Sequence, residues 1–316
     1  MKLSVVIATY RRRKSLLCLL EMLKSAYSSG ELPAGSEAIV VEQAPFDFTE
    51  DEIRQAKKTN PLLRWLRTEK SGLPLSRNIG VLASGGEIIV FLDDDAEIGG
   101  GFFGAYLDFF SRAREKTAAA SGPVNEPGRA MPSGLTAWLP LFISPLTGSV
   151  CGGTDPKEEK EIRLLRGGNM AFRRRALLEI GGFDLTLEKV ALREETDAGE
   201  RLKKLGYSIF FVPKAAIVHR RAPTGGERME GRIELLYWGR RSESIFVTRN
   251  LSRLIWLGFY LRGLTASVLG GKCEPDLRSC LKAANAGMLD GRRAALASPG
   301  RNFLAGTAET ASWKEI

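Results

Sequence analysis

The stretch IIVFLDDDAEI, residues 88–98, constrains what this chain can fold into more than any other. An apolar run without alternation suits a buried strand of a parallel sheet. It ends in Asp93, Asp94 and Asp95, with Glu97 just beyond. Carboxylates this close repel one another, and each resists burial beside Phe91 and Leu92 unless something positive offsets it. A single Asp here would read as a turn residue or a helix N-cap. Three of them after a buried strand favour a bound cation.

The segments around this strand repeat one rhythm. LSVVIAT opens the chain as a buried strand, followed by a helix with Leu16, Leu20, Leu23 and Tyr27 at helical spacing. EAIVVEQ (37–43) and LLRWLRT (62–68) read as further strands. LPLSRNIGVLAS reads as a helix opened by Pro74 and stopped by Gly85 and Gly86. Strand and helix in alternation predict a doubly wound, mostly parallel α/β sheet, with ligands at the carboxyl ends of its strands. The three aspartates stand at such an end. Beyond them come a helix in FFGAYLDFFSRARE, a strand in TAAASGPV and a Pro- and Gly-rich stretch over 125–161 containing Trp138, Leu139 and Phe142. That stretch fits either a lid or a long surface excursion. NMAFRR, the helices RALLEIGG and REETDAGERLKKLG, and the strands YSIFFVP and AAIVHR follow. From Gly231 the pattern is helical and basic.

At 316 residues the chain has room for a large α/β domain with an appendage, or for two domains. Its four cysteines form no C-x-x-C pair, which speaks against a zinc site or disulfide framework and for a reducing compartment, and Cys18 in SLLCLLEML is expected to pack in the core. MKLSVVIATY is too short an apolar run for a signal peptide, and LIWLGFYL (254–261) falls far below the roughly 20 residues of a spanning helix. Residues 201–316 carry 20 Lys and Arg against 9 Asp and Glu, so this third holds the whole +9 excess. Anionic lipid headgroups or a phosphorylated substrate fit that charge. Nucleic acid is not expected, because no zinc finger, RNA-recognition or helix-turn-helix signature is present.

Taken alone, the aspartates would also fit a phosphatase of the haloacid-dehalogenase type or a nucleotidyltransferase. Four segments in order resemble something more specific, the family 2 glycosyltransferases of GT-A fold, over roughly residues 3–222. They are SVVIATYRR, GLPLSRNIGVLASGGEIIVFLDDDAEI, RGGNMAFRRRALLEIGGFD and REETDAGERLKKLGYSIFFVPKAAIVHR. The resemblance implies a Rossmann-like GT-A domain over 1–225. Its nucleotide-binding half would be 1–100 and its acceptor-binding half 101–225, with a small basic helical region over 226–316. It further implies an inverting enzyme that moves a sugar from a nucleotide-diphosphate donor to a hydroxyl of a glycan or lipid-linked acceptor. A non-catalytic nucleotide-sugar-binding scaffold is the remaining alternative.

Residue roles follow from the same resemblance. Asp95, helped by Asp93, would hold Mn2+ or Mg2+, which accept hard oxygen ligands; an added imidazole suits manganese. His219, the single histidine, stands where some members place a ligand. Asp94 would reach the ribose. Thr9, Tyr10 and Arg11 end the first strand at the nucleotide base, and Glu42 stands where the family has Asp reaching base or ribose. With VVEQ in place of the usual VVDD, the base is left open. Arg77 matches a position near the diphosphate, where a guanidinium is a natural partner. Glu195 takes the place of the catalytic base, with Glu194 as its alternate. Gly168 and Asn169 match acceptor or sugar contacts, and Asp197 and Arg201 match acceptor-side positions as structural and acceptor-orienting groups. No Q-x-x-R-W follows residue 201, so the chain resembles non-processive, rhamnosyltransferase-like members that add one sugar per encounter. Such members work in cell-envelope polysaccharide synthesis, often at the cytoplasmic face of the membrane. Cytoplasmic location with peripheral contact to anionic membrane is therefore the expectation. The segment WGRRSESIFVTRNLSRLIWLGFYLRGL could form core helices, a membrane-lying surface, or both.

Overall fold

The computed structural model describes residues 1–128, 142–151, 154–189, 192–222, 225–226, 231–269, 276–298, 303–310 and 312–316. In the first half, strands β1 (Leu3–Thr9), β2 (Glu37–Gln43), β3 (Leu63–Thr68) and β4 (Ile88–Asp93) alternate with helices α1 (Arg13–Ser28), α2 (Glu50–Thr59) and α3 (Leu73–Ala83). Then come β5 (Ala96–Ile98), α4 (Phe102–Arg112), β6 (Thr117–Ser121), β7 (Val124–Asn125), β8 (Phe142–Ile143), β9 (Val150–Cys151) and β10 (Lys160–Glu161). The acceptor-side motifs lie on β11 (Asn169–Arg173), α5 (Arg174–Glu179), α6 (Glu194–Lys204), β12 (Ser208–Phe211) and β13 (Ile217–His219). The chain closes with α7 (Arg232–Asn250), α8 (Arg253–Leu269), α9 (Leu277–Ala297), α10 (Phe303–Thr310) and β14 (Trp313–Glu315).

The expected mixed α/β sheet is present. Nine strands run in the order β10-β12-β6-β11-β4-β1-β2-β3-β14. The four strands of the alternating half are mutually parallel, so their carboxyl ends open on one edge. Register sets Asp93 beside Ala8, and Thr9 beside Glu42. Two apolar layers cover the sheet. One buries Leu16, Leu20 and Leu23 of α1 with Phe102 and Tyr106 of α4; the other buries Ile79 of α3 with Phe172, Phe183 and Leu202. Tyr27 packs at the rim of the first layer, as its spacing predicts. Cys18 does not. It lies between the buried positions of α1 and faces out, because a helix one residue or two away from its apolar stripe has already turned toward solvent.

Two departures from a parallel sheet shape the functional edge. β11 runs antiparallel between β4 and β6, which sets Asn169 opposite Leu92. A second sheet, β5-β13-β7, sits beyond the end of β4 and pairs His219 with Ala96. Residues 129–141, including Trp138 and Leu139 of the anticipated lid or excursion, lie outside the described residues; Phe142 belongs to β8, paired antiparallel with β9. Among the described residues the C-terminal region holds helices α7 to α10 and then β14, a strand the helical reading of 226–316 did not include. β14 pairs antiparallel with β3, where Glu315 meets Arg64 at 2.9 Å.

Helix α3 approaches β1 closely at Gly80, where an added Cβ would stand 2.3 Å from Val6 Cγ1. Gly80→Ala should therefore lower stability by about 1–3 kcal/mol through overpacking, despite the ~1 kcal/mol that Ala gains over Gly in a helix. The urea midpoint should fall, and adding Val6→Ala should restore part of the loss by making room. A midpoint unchanged in Gly80→Ala would show that this contact gives way freely.

Candidate active site

Asp93, Asp94 and Asp95 leave the end of β4 in three directions. Asp94 is buried and accepts from Thr9 Oγ1 and from Arg12 Nη1, both at 2.8 Å. Burial pushes its carboxyl up to about 6, with Arg12 and Thr9 pulling the other way. Asp95 is also buried, and burial alone would raise it. The hydrogen bond with His219, the Arg12 charge and the Ala222 amide outweigh that and hold it at about 2. Arg12 Nη1 lies 3.0 Å from Asp95 Oδ2, so one guanidinium bridges two of the three acids. Asp93, the most open of the three, faces His219 and accepts from Arg77 Nη2 at 3.2 Å.

His219 reaches the cluster because β13 pairs antiparallel with β5, and Glu126 reaches His219 because β7 pairs with β13 from the other side. Nδ1 of His219 lies 3.2 Å from Glu126 Oε1, and Nε2 lies 2.9 Å from Asp95 Oδ1. Both ring nitrogens face carboxylates, and an ionised carboxylate only accepts, so each nitrogen needs a proton or a metal on it. With Nδ1 turned to Glu126, Nε2 faces Asp95 Oδ1. A cation must stand between them. When it is a proton, His219 is an imidazolium, and the Asp95 hydrogen bond raises its pKa to about 9. A divalent metal is the other solution, since metal and proton compete for the same lone pairs. One ligand atom from each of Asp93, Asp95 and His219 can be chosen so that all lie within 4.8 Å of one another. Two hard oxygens and an imidazole fit manganese or magnesium, manganese accepting the nitrogen more readily. Glu126, which the sequence reading missed, orients the imidazole as a carboxylate behind a metal-ligating histidine does.

Across the cleft, α6 presents its first turn. Glu194 is buried and paired with Arg77, whose other nitrogen reaches Asp93. Arg77 is itself buried, its guanidinium 5.9 Å from the Phe91 ring centroid and 5.7 Å from that of Phe183. It was expected beside the diphosphate. In the structure it also bridges the aspartate cluster and α6. Glu195 is half-buried, accepts from Thr196 Oγ1 at 3.1 Å, and lies 3.8 Å from where a Cβ on Gly167 would stand. Gly168 adopts φ +81°, and a Cβ there would come within 2.6 Å of Asp93 Oδ2. Glycine is thus required where β11 begins, and the backbone at Gly167 and Gly168 runs between Asp93 and Glu195.

Other residues named from the sequence have partners within the protein. Glu42 is buried, with Oε1 accepting from the amides of Asp47 and Phe48 and Oε2 from Trp65 Nε1 and Arg67 Nε. Four donors fill a carboxylate's capacity, so Glu42 shapes the 44–48 loop rather than presenting an open acceptor. Asn169 is likewise consumed, donating to Ala215 and Pro123 carbonyls and accepting from Tyr106 Oη. Asp197 and Arg201 pair at 2.7 Å inside α6, with Asn250 of α7 donating to Asp197 and Arg201 donating to the Ile180 carbonyl. Both are buried and join α6 to its neighbours, in keeping with the structural part of their expected role. Thr9 holds Asp94, while Tyr10 and Arg11 stay at the cleft rim, Arg11 at φ 53° over the Tyr10 ring. Arg12, one residue further than the expected set, is the cation in contact with two of the aspartates.

Comparison with known proteins places these features in context. The glycosyl transferase family 2 profile matches residues 4–181. Two curated relatives, the N-acetylglucosaminyl-diphospho-decaprenol L-rhamnosyltransferases of Mycobacterium tuberculosis strains CDC 1551 / Oshkosh and ATCC 25618 / H37Rv, are 30% identical over 153 residues, 44% of this chain. The chain spans about half the length of these relatives (48%). Among solved structures, GalNAc-T7 with UDP, GalNAc and Mn2+ superposes with a TM-score of 0.62 at 16% identity, covering 94% of this chain and 56% of that one. TarS 1–349 of S. aureus gives 0.57 at 16%, covering 95% and 91%. At such identities the likeness concerns the fold, which is that of GT-A glycosyltransferases.

The Arg77–Glu194 pair generates a stability prediction. Arg77→Met removes the guanidinium paired with buried Glu194 and should cost about 3–5 kcal/mol, whereas Arg77→Met with Glu194→Leu should recover most of it. Denaturant unfolding of both variants measures this, and a double variant no more stable than the single would contradict it.

Proposed function

The chain belongs to glycosyl transferase family 2, and on that footing we propose a metal-dependent, inverting transfer of a sugar from a nucleotide-diphosphate donor to a hydroxyl of a lipid-linked glycan. The observation that carries this reading is the convergence of Asp93, Asp95 and His219, one ligand atom of each within 4.8 Å of the others, with His219 Nε2 2.9 Å from Asp95 Oδ1. Asp93, Asp95 and His219 would hold Mn2+ or Mg2+, which as a Lewis acid offsets the charge developing on a departing nucleoside diphosphate. GalNAc-T7, of the same fold, was crystallised with UDP and Mn2+. The phosphatase or nucleotidyltransferase suggested by the aspartates alone is set aside by the family match.

The protein's own groups supply the rest. The nucleotide would lie over the carboxyl ends of β1 and β2, near Thr9, Tyr10 and Arg11. Asp94, fixed by Thr9 and Arg12 at that end of the sheet, would be the group to receive the ribose hydroxyls. Glu195 is our choice of base. Glu194 is committed to Arg77, while Glu195 is the more exposed of the two and borders the Gly167 backbone. An acceptor hydroxyl positioned there would lose its proton to Glu195 as it attacks the anomeric carbon from the side opposite the diphosphate, giving inversion. Gly168 keeps the passage open beside Asp93. Asp197 and Arg201 act at one remove, holding α6 in place. The lipid-linked acceptor is proposed from the rhamnosyltransferase relatives, and peripheral contact with the membrane at which such acceptors reside follows from it.

Two variants test this. Asp95→Ala should abolish Mn2+-dependent UDP binding in isothermal titration calorimetry, and UDP binding indifferent to Mn2+ in the unaltered chain would overturn the metal assignment. Glu195→Gln should lower turnover by about 10²–10⁴-fold, the range of a general base, with donor affinity unchanged. If that variant loses donor binding as well, Glu195 has been misplaced.

A further inference from the structure

Helix α8 is apolar nearly all round yet packs on one side only. Its inner face buries Trp256 and Phe259 against Ile143, Phe246 and Met288. Its outer face exposes Leu254 (81%), Leu257 (50%) and Leu261 (54%), at spacings of three and four that align them in one stripe. Leu146, 77% exposed in the β8–β9 turn, belongs to a segment that touches α8 at Gly258. Four exposed leucines in one neighbourhood are not an ordinary scatter of surface apolar residues.

The surrounding charge says what covers them. At 100° per residue, Arg253 and Arg262 border the leucine stripe on opposite sides, and both are exposed. Arg262 also donates to Ser149 Oγ at 2.7 Å, which ties its head to the same hairpin that carries Leu146. α8 contains no acidic residue. A second copy of the same face would set arginine rims against each other, a like-charge arrangement that disfavours a symmetric pair. An anionic lipid surface matches both features, since leucines enter the acyl boundary while arginines remain at the headgroups. Among the described residues no helix is long and apolar enough to cross a membrane, so such contact would be interfacial.

We propose that the outer face of α8, Leu254, Leu257 and Leu261 between Arg253 and Arg262, together with Leu146, is a docking surface for an anionic lipid bilayer. The inference rests on the lipid-linked-acceptor reading for its purpose. The apolar cluster beneath α8 includes Leu164, three residues before Gly167, so the lipid-facing helix packs on the segment that leads to the proposed acceptor position. An acceptor held in the leaflet by its lipid would be presented from that side.

Flotation of the full chain with phosphatidylcholine vesicles, with and without phosphatidylglycerol, tests the surface. Binding is expected with the anionic vesicles, falling as salt is raised. Leu254→Glu with Leu257→Glu should reduce binding by at least roughly tenfold, as lost leucine burial implies, while the urea midpoint and UDP–Mn2+ binding stay unchanged. No flotation of the unaltered chain, or a variant that floats equally well, would overturn the proposal. So would sedimentation showing a dimer that the two substitutions split, since the face would then belong to a second copy. Nucleotide binding without flotation would sink this inference alone. Flotation without nucleotide binding would sustain the surface and count against the transferase reading.

Discussion

Three carboxylates at the end of a buried strand must be compensated, and most of the functional edge follows from how that is done. Burial raises the cost of each charge, and proximity adds repulsion. Arg12 answers for Asp94 and Asp95, Arg77 for Asp93, and the Ala222 amide for Asp95. His219 completes the set with a nitrogen that needs a cation between itself and Asp95. The arrangement leaves Asp93, Asp95 and His219 converging on one place, while Asp94 is turned away by Thr9 and Arg12.

The fold delivers these partners through two interruptions of the parallel sheet. β11, running backwards beside β4, brings Gly168 against Asp93 and Gly167 toward Glu195. The small β5-β13-β7 sheet brings His219 and Glu126 to the same end from distant parts of the chain. Helix α3, which carries Arg77, is held from behind. Asn78 exchanges two hydrogen bonds with the Phe183 backbone and donates to Thr307 of α10. The C-terminal segments therefore support the helix that joins the aspartates to α6, although they lie far from the motifs in sequence.

The sequence was informative where chemistry and local pattern coincide. The buried runs of β1, β2 and β4, the helix opened by Pro74, the aspartates at a strand end and the lone His219 were all legible, because apolar periodicity and residue type reveal them without tertiary knowledge. Partners across the fold were not. Nothing near Glu42 announces that Trp65 and Arg67 fill it, and nothing near Arg77 announces that it is buried against Glu194, since both depend on packing between distant elements. Asn169, Asp197 and Arg201 have the polar character of ligand contacts, yet each is spent inside the protein. Glu126 sat in a Pro- and Gly-rich stretch with no local sign of its role, and pairing of β7 with β13 alone discloses it. Even Cys18, amid leucines, faced outward because helical phase, not neighbourhood, decides burial.

We propose that a divalent ion binds through the imidazole of His219 together with Asp93 and Asp95. Because the chain has a single histidine, pulsed electron paramagnetic resonance of Mn2+ bound in the presence of UDP addresses it directly. The account predicts a hyperfine coupling to one imidazole nitrogen that disappears in His219→Gln. Bound Mn2+ with no nitrogen coupling, or a coupling that survives the substitution, would contradict it.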